Sequence, residues 1–138
     1  MRRIVLFLTV VVLGVLLSAG VALAANIVGT GGADELIGTP NADNIYGLGG
    51  NDFISGRGEA DHLYGGNGRD EVRGGGGNDY VDGDTGMDLL YGGGGDDTIS
   101  ATDGVHDLSG CGPGFDTLYV DAYDEWNNSC EDVRLDLP

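Results

Sequence analysis

The chain contains no lysine, and its six basic residues are all arginines, against 23 aspartates and glutamates. The formal net charge is −17 at pH 7. A chain with this charge repels nucleic acids and anionic membrane surfaces, and it attracts cations. Without lysine, it also lacks the residue that a phosphate-binding P-loop requires. We therefore expect no nucleic-acid partner and expect cations as ligands.

Catalytic motifs are also missing. The sequence has no G-x-S-x-G nucleophile elbow and no H-E-x-x-H zinc-binding helix. Its two histidines, His62 and His106, are far apart in sequence and have no motif around them. The sequence therefore predicts a protein that is not an enzyme.

Glycine and aspartate are abundant, and the aspartates recur every nine residues through most of the chain. The eight aspartates in this register are Asp34, Asp43, Asp52, Asp61, Asp70, Asp79, Asp88 and Asp97. The aliphatic residues two positions after them are Leu36, Ile45, Ile54, Leu63, Val72, Val81, Leu90 and Ile99. The glycines five positions before them are Gly29, Gly38, Gly47, Gly56, Gly65, Gly74, Gly83 and Gly92. One unit, G-x-x-G-x-D-x-U-x with U aliphatic, is therefore repeated eight times.

Each part of this unit has a physical role. Glycines allow backbone conformations with positive φ and a close approach of carbonyl oxygens. Calcium takes six to eight oxygen ligands from carboxylates and carbonyls, which a glycine loop ending in aspartate supplies. The x-U-x triplet has one inward position, as a short strand requires. Because the U side chains of consecutive units must meet in one core, two units form one coil, and residues 18 apart are stacked.

These units resemble the RTX, or haemolysin-type, calcium-binding repeat, most cleanly at residues 65–73 and 74–82. The resemblance covers residues 27 to about 119. It implies an all-β fold, a right-handed parallel β-roll solenoid with calcium ions between stacked loops. Asp34, Asp52, Asp70 and Asp88 would line one edge, and the other four aspartates the opposite edge. The resemblance thus implies about six calcium ions as cofactors, bound by these eight aspartates.

Several units depart from the pattern. The second loop has Thr39, Pro40 and Asn41 in place of glycines, and the fourth and seventh have Glu59 and Asp84, so weaker sites are expected there. A ninth unit places His106 at the aspartate position and Leu108 in the core. An insertion at Gly110 then restores the register in a tenth unit, whose Asp116 is a further expected calcium ligand.

The first 24 residues have the features of a secretory signal peptide. Arg2 and Arg3 precede the apolar run 4–17, and small residues follow up to Ala24, the expected cleavage point. An uncleaved anchor is the alternative, because residues 4–23 are nearly long enough to span a bilayer. We expect cleavage, secretion and no membrane contact afterwards.

Cys111 and Cys130 are expected to form a disulfide, as is usual in an exported chain. Their separation of 19 residues places them about one coil apart, ~4.8 Å, which a bridge can span. We expect a β-roll over residues 25–110 and, over residues 111–138, a last degenerate repeat and a disulfide-stapled cap. Acids of the cap (Asp116, Asp121, Asp124, Glu131 and Asp132) are interpreted as solvated surface, with another calcium site as the alternative.

These observations predict a secreted calcium-binding structural or interaction module that folds on calcium. The alternative is an accessory domain of a secreted hydrolase or toxin whose catalytic part is absent from this chain. A further partner outside the cell would be a protein or a polysaccharide, which the sequence does not identify.

Overall fold

The computed structural model describes residues 23–136. Of the expected signal peptide, only Leu23 and Ala24 fall within this range, so that prediction lies almost entirely outside the described residues. Within the range there are strands, turns and bends but no helix, which confirms the all-β prediction. Accordingly, residues 23–136 contain no helix long and apolar enough to cross a membrane.

The strands are short, because each repeat provides only one x-U-x triplet and part of the adjacent loop. In chain order they are β1 (Asn26–Val28), β2 (Glu35–Ile37), β3 (Asn44–Tyr46), β4 (Gly49–Gly50), β5 (Phe53–Gly58), β6 (His62–Gly68), β7 (Glu71–Gly76), β8 (Tyr80–Gly86), β9 (Leu89–Gly94), β10 (Thr98–Ala101), β11 (Leu108–Gly110), β12 (Thr117–Val120), β13 (Glu125–Trp126) and β14 (Asp132–Leu135).

The strands form two parallel sheets. One has the order β1-β3-β6-β8-β10-β12-β14, with β4 also paired to β6, and the other has the order β13-β11-β9-β7-β5-β2. Ile45 pairs with Leu63, and Leu63 pairs with Val81, so each step across the sheet advances the chain by 18 residues. The molecule is a parallel β-solenoid of about six turns, and the predicted coil of two units is confirmed.

The aliphatic residues of the repeat form the core between the two sheets. The buried hydrophobic cluster consists of Leu36, Ile45, Ile54, Leu63, Val72, Val81, Leu90, Ile99, Ala101, Cys111, Leu118 and Val120. Ile27 and Val133 pack against it at the two ends and are only partly buried. Because side chains alternate along a strand, the residues flanking each U position face outward. The core holds the loops at the sheet edges in stacked positions.

The ninth unit does not follow the predicted register. Leu108 pairs with Leu89 and is 40% exposed, whereas Ser109 pairs with Leu90 and is 6% exposed. The backbone amide of Asp88 donates to Asp107 Oδ1 at 2.7 Å, a step of 19 residues. The extra residue therefore lies before Asp107, in the loop 102–106, and the predicted insertion at Gly110 and core position of Leu108 are wrong.

The predicted disulfide between Cys111 and Cys130 is confirmed, with the two Cα atoms 5.1 Å apart. The segment around the bridge extends the solenoid, because β13 pairs with β11 and β14 pairs with β12. The bridge ties the loop that follows β11 to the turn that precedes β14. It therefore fastens the last coil to the coil before it.

Candidate metal centre

Each of the eight repeats contributes one loop, which runs from the first glycine of the repeat to its aspartate. We number them in chain order: 29–34, 38–43, 47–52, 56–61, 65–70, 74–79, 83–88 and 92–97. The aspartates of the second to eighth loops are buried, and that of the first is partly exposed. Odd-numbered loops stack along one edge of the solenoid and even-numbered loops along the other.

One oxygen of each buried aspartate holds the stack together. The backbone amide of Asp52 donates to Asp70 Oδ1 at 2.8 Å, and that of Asp70 donates to Asp88 Oδ1 at 2.7 Å. On the opposite edge, the amide of Asp61 donates to Asp79 Oδ1 at 2.9 Å. Each carboxylate thus binds the loop one coil before it, and aspartates 18 apart are brought together as predicted.

The other oxygen is buried and has no hydrogen-bond donor. The aspartates whose Oδ2 atom is in this state are Asp52, Asp61, Asp70, Asp79, Asp88, Asp97, Asp107 and Asp116. A buried polar atom without a partner costs about 1–3 kcal/mol, and more if it is charged. Repeating this cost along both edges is tolerable only if the oxygens have a partner of another kind, such as a cation.

A backbone carbonyl oxygen of the next coil lies near the unpaired Oδ2 atom on both edges of the solenoid. A Cβ atom built on Gly47 would lie 2.4 Å from Asp52 Oδ2 and 2.2 Å from the carbonyl oxygen of Gly65. On the other edge, a Cβ on Gly74 would lie 2.4 Å from Asp79 Oδ2 and 2.3 Å from the carbonyl oxygen of Gly92. The first glycine of the repeat is therefore required, because a side chain would occupy the space where these oxygens converge.

The second residue of the loop directs its own backbone carbonyl oxygen towards the loop of the next coil. In the third and fourth loops this residue is Leu48 or Arg57, and both have a left-handed backbone, with φ of 76° and 90°. The carbonyl oxygen of Leu48 approaches Gly66 so closely that a Cβ there would lie 2.5 Å away. The next loop therefore needs a glycine at this point, and each gap between loops is lined by backbone oxygens.

Burial disfavours the ionised form of these aspartates in the metal-free protein. It raises the pKa of Asp79 and Asp88 to about 7 and that of Asp61 and Asp97 to about 6, against an ordinary value of 3.8. Repulsion from stacked aspartates adds to this pKa increase, and the backbone hydrogen bond opposes it. A bound cation would favour the charged form instead.

The donor set fits calcium. Within residues 23–136, no three histidine, cysteine, aspartate or glutamate side chains cluster to hold a metal. A zinc site needs such a cluster of nitrogen and sulfur ligands. Calcium instead accepts backbone carbonyls together with a few carboxylates, which is what each gap offers.

Beyond the eight loops, the predicted ligand Asp116 continues the even-numbered edge. It is buried, and its Oδ1 accepts the amide of Asp97 at 2.8 Å. Asp107 plays the same part on the odd-numbered edge, and sequence reasoning missed it. Asp107 in turn donates its amide to Asp124 Oδ1 at 3.0 Å, and Asp116 donates to Glu131 Oε2 at 3.0 Å. Asp124 and Glu131 thus extend the stack. Asp124 is buried, so the solvated surface favoured by the sequence is wrong for this residue, whereas Glu131 is exposed as predicted.

The stacked glycine-aspartate loops on a parallel solenoid define a calcium-binding β-roll. The model of the RTX calcium-binding nonapeptide repeat, in four copies, matches residues 28–63, 55–90 and 74–105, more than half of the chain. The chain therefore belongs to the RTX calcium-binding repeat family. Searches of curated proteins and of solved structures found no match. RTX repeats bind calcium, and proteins of this family and fold are typically structural and non-catalytic.

Proposed function

We propose that this chain is a secreted structural or interaction module that folds on calcium and acts outside the cell. The observation that carries the proposal is the row of buried aspartate Oδ2 atoms without a donor along both edges. Calcium would neutralise these carboxylates and hold stacked loops together. We expect no catalytic activity, since the two histidines belong to no catalytic motif and the buried carboxylates are committed to the stack.

The number of ions follows from the number of open loops, which we define as loops whose aspartate Oδ2 atom has no hydrogen-bond donor. Six of the eight loops, the third to the eighth, end in an aspartate with an unpaired Oδ2 atom. Asp107 and Asp116 also have an unpaired Oδ2 atom, but the loops that end at them begin with Thr102 and Cys111 instead of glycine, and they are left out of the count. One calcium ion per open loop gives about six ions per chain, all bound by the carboxylates and backbone oxygens described above.

Calorimetric titration of the oxidised chain tests the proposal. We expect about six calcium ions per chain at saturation, with magnesium substituting poorly because it requires a smaller, near-octahedral oxygen shell. Equilibrium dialysis of the same sample provides an independent count. A chain that binds no calcium, or binds magnesium equally well, would contradict the proposal.

Export is supported by the residues before the roll and by the disulfide, since disulfides persist in oxidising compartments. Mass spectrometry of protein from the culture medium should find Ala25 as the first residue and Cys111 bridged to Cys130. Treatment with a reductant should shift the mass by two hydrogens. Recovery of an intact Met1 in a membrane fraction would instead favour the uncleaved anchor, and free thiols would contradict an oxidising destination.

A further inference from the structure

The first two loops differ from the other six in how the aspartate Oδ2 atom is satisfied. In the first loop, the Thr30 amide and hydroxyl donate to Asp34 Oδ2 at 2.6 and 2.9 Å. In the second, the Thr39 amide and hydroxyl donate to Asp43 Oδ2 at 2.6 and 3.0 Å. A carboxylate oxygen has two lone pairs, so two donors occupy both of them.

Each threonine also closes its own loop. The Thr30 hydroxyl accepts the amide of Gly32 at 3.2 Å, and the Thr39 hydroxyl accepts the amide of Asn41 at 3.2 Å. Such hydroxyl turns are a standard local alternative to other backbone conformations. Pro40 favours an extended conformation in the preceding Thr39, which opposes a left-handed turn. The loop is thus complete without a metal.

The other six loops have a left-handed residue in the place of the threonine. Their φ values run from 61° at Asp84 to 120° at Gly75, and neither threonine has a positive φ. In this conformation no amide or hydroxyl reaches the aspartate Oδ2 atom, which stays unpaired. The backbone conformation at one position therefore separates loops with a donor from loops that require a cation.

We infer that Thr30 and Thr39 close the first two loops to calcium, so that calcium binding begins at the third loop, 47–52. A cation at Asp34 or Asp43 would meet an N–H hydrogen and would have to displace two hydrogen bonds. The space for an ion is otherwise present in the first loop. A Cβ on Gly29 would lie 2.8 Å from Asp34 Oδ2 and 2.6 Å from the carbonyl oxygen of Gly47. Threonine, not the shape of the gap, excludes the metal. This inference rests on the proposed calcium binding.

A matched pair of asparagine variants on one edge tests the loss of sites. Asp43 Oδ1 accepts the amide of Ala25 at 2.7 Å, and Asp79 Oδ1 accepts that of Asp61 at 2.9 Å, bonds that an asparagine oxygen can keep. Asp43→Asn should bind as many calcium ions as the unmodified chain, whereas Asp79→Asn should lose at least one. Bound calcium is measured by equilibrium dialysis at saturation.

A second pair tests the gain of a site and does not depend on the first. Thr30→Gly restores a glycine at the second position of the loop and should bind one additional calcium ion. Thr30→Val removes the hydroxyl but keeps the amide and the branched side chain, so it should bind no additional ion. Equal calcium loss in Asp43→Asn and Asp79→Asn, or no gain in Thr30→Gly, would overturn the inference alone. An unmodified chain that binds no calcium would overturn the proposed function.

Discussion

In the presence of a chelator, a chain that begins at Ala25 is expected to lose most of its β-sheet circular dichroism signal at pH 8. It should regain the signal at about 10⁻⁴–10⁻³ M calcium, the range of extracellular calcium modules. The physical reason is the set of eight buried Oδ2 atoms without a donor, each on a carboxylate stacked on another. Because the loops stack only when these charges are compensated, binding and folding are one process. An unchanged β spectrum in chelator would contradict this coupling.

Acid should partly replace calcium in the same experiment. Burial raises the pKa of Asp79 and Asp88 to about 7 in the folded, metal-free protein, above the ordinary 3.8. A raised pKa means that folding favours the protonated form, so this contribution to stability is fully present below pH 3.8 and is lost as the pH rises through about 7. In chelator, the β signal should therefore increase as the pH is lowered from 8 to about 4. A β signal that decreases as the pH is lowered over this range would show that the buried carboxylates do not oppose folding.

Most of the fold could be predicted because two constraints coincide. The first constraint is the repeat itself: aspartate recurs every nine residues with an aliphatic residue two positions later, and only one register satisfies both. The second is the alternation of side chains along a strand, which places the aliphatic residue inside. The pairing of Ile45 with Leu63 and the burial of both follow directly. The separation of odd and even loops on two edges follows from the same period.

The sequence predicts the wrong register for the ninth unit because the two possible registers each satisfy half of the pattern. His106 with Leu108 keeps the aliphatic residue, whereas Asp107 with Ser109 keeps the aspartate. In the structure the aspartate decides, since Asp107 accepts the amide of Asp88 and Leu108 moves to the surface. Counting back nine residues from Asp116 would have located Asp107. The carboxylate stack is therefore a stronger constraint on register here than one aliphatic core position.

Departures from glycine do not all change the backbone conformation of the loop. Glu59 and Asp84 have left-handed backbones, with φ of 64° and 61°, so the fourth and seventh loops keep the conformation of the glycine loops. Holding a residue other than glycine in this region costs about 1–2 kcal/mol, and stacking between neighbouring loops imposes it. Thr39 instead has a local hydrogen-bonding alternative, which sequence spacing alone does not reveal.

Substituting two aspartates on opposite edges should cost more calcium than substituting two on one edge. Asp61 and Asp79 are in direct contact through the bond from the Asp61 amide to Asp79 Oδ1, whereas Asp70 stacks with Asp52 and Asp88 on the other edge. If each ion lies between stacked loops, one interior aspartate contributes to two sites. Because Thr39 closes the loop of Asp43, Asp61 lines one occupied gap and Asp70 lines two, so Asp61→Ala with Asp70→Ala disables up to three sites. Asp61→Ala with Asp79→Ala, which share one site, disables at most two.

The quantity to measure is bound calcium per chain at saturation, by equilibrium dialysis on variants whose β signal matches that of the unmodified chain. Asp34→Ala serves as the control, because its carboxylate lies at the end of the stack and Thr30 already occupies its Oδ2 atom, so it should lose fewer ions than Asp70→Ala. The effects of the two substitutions on the free energy of calcium binding should couple strongly for Asp61 with Asp79, which share partners, and weakly for Asp61 with Asp70, which do not. If the cross-edge pair loses no more calcium than the same-edge pair, the ions do not lie between loops 18 residues apart.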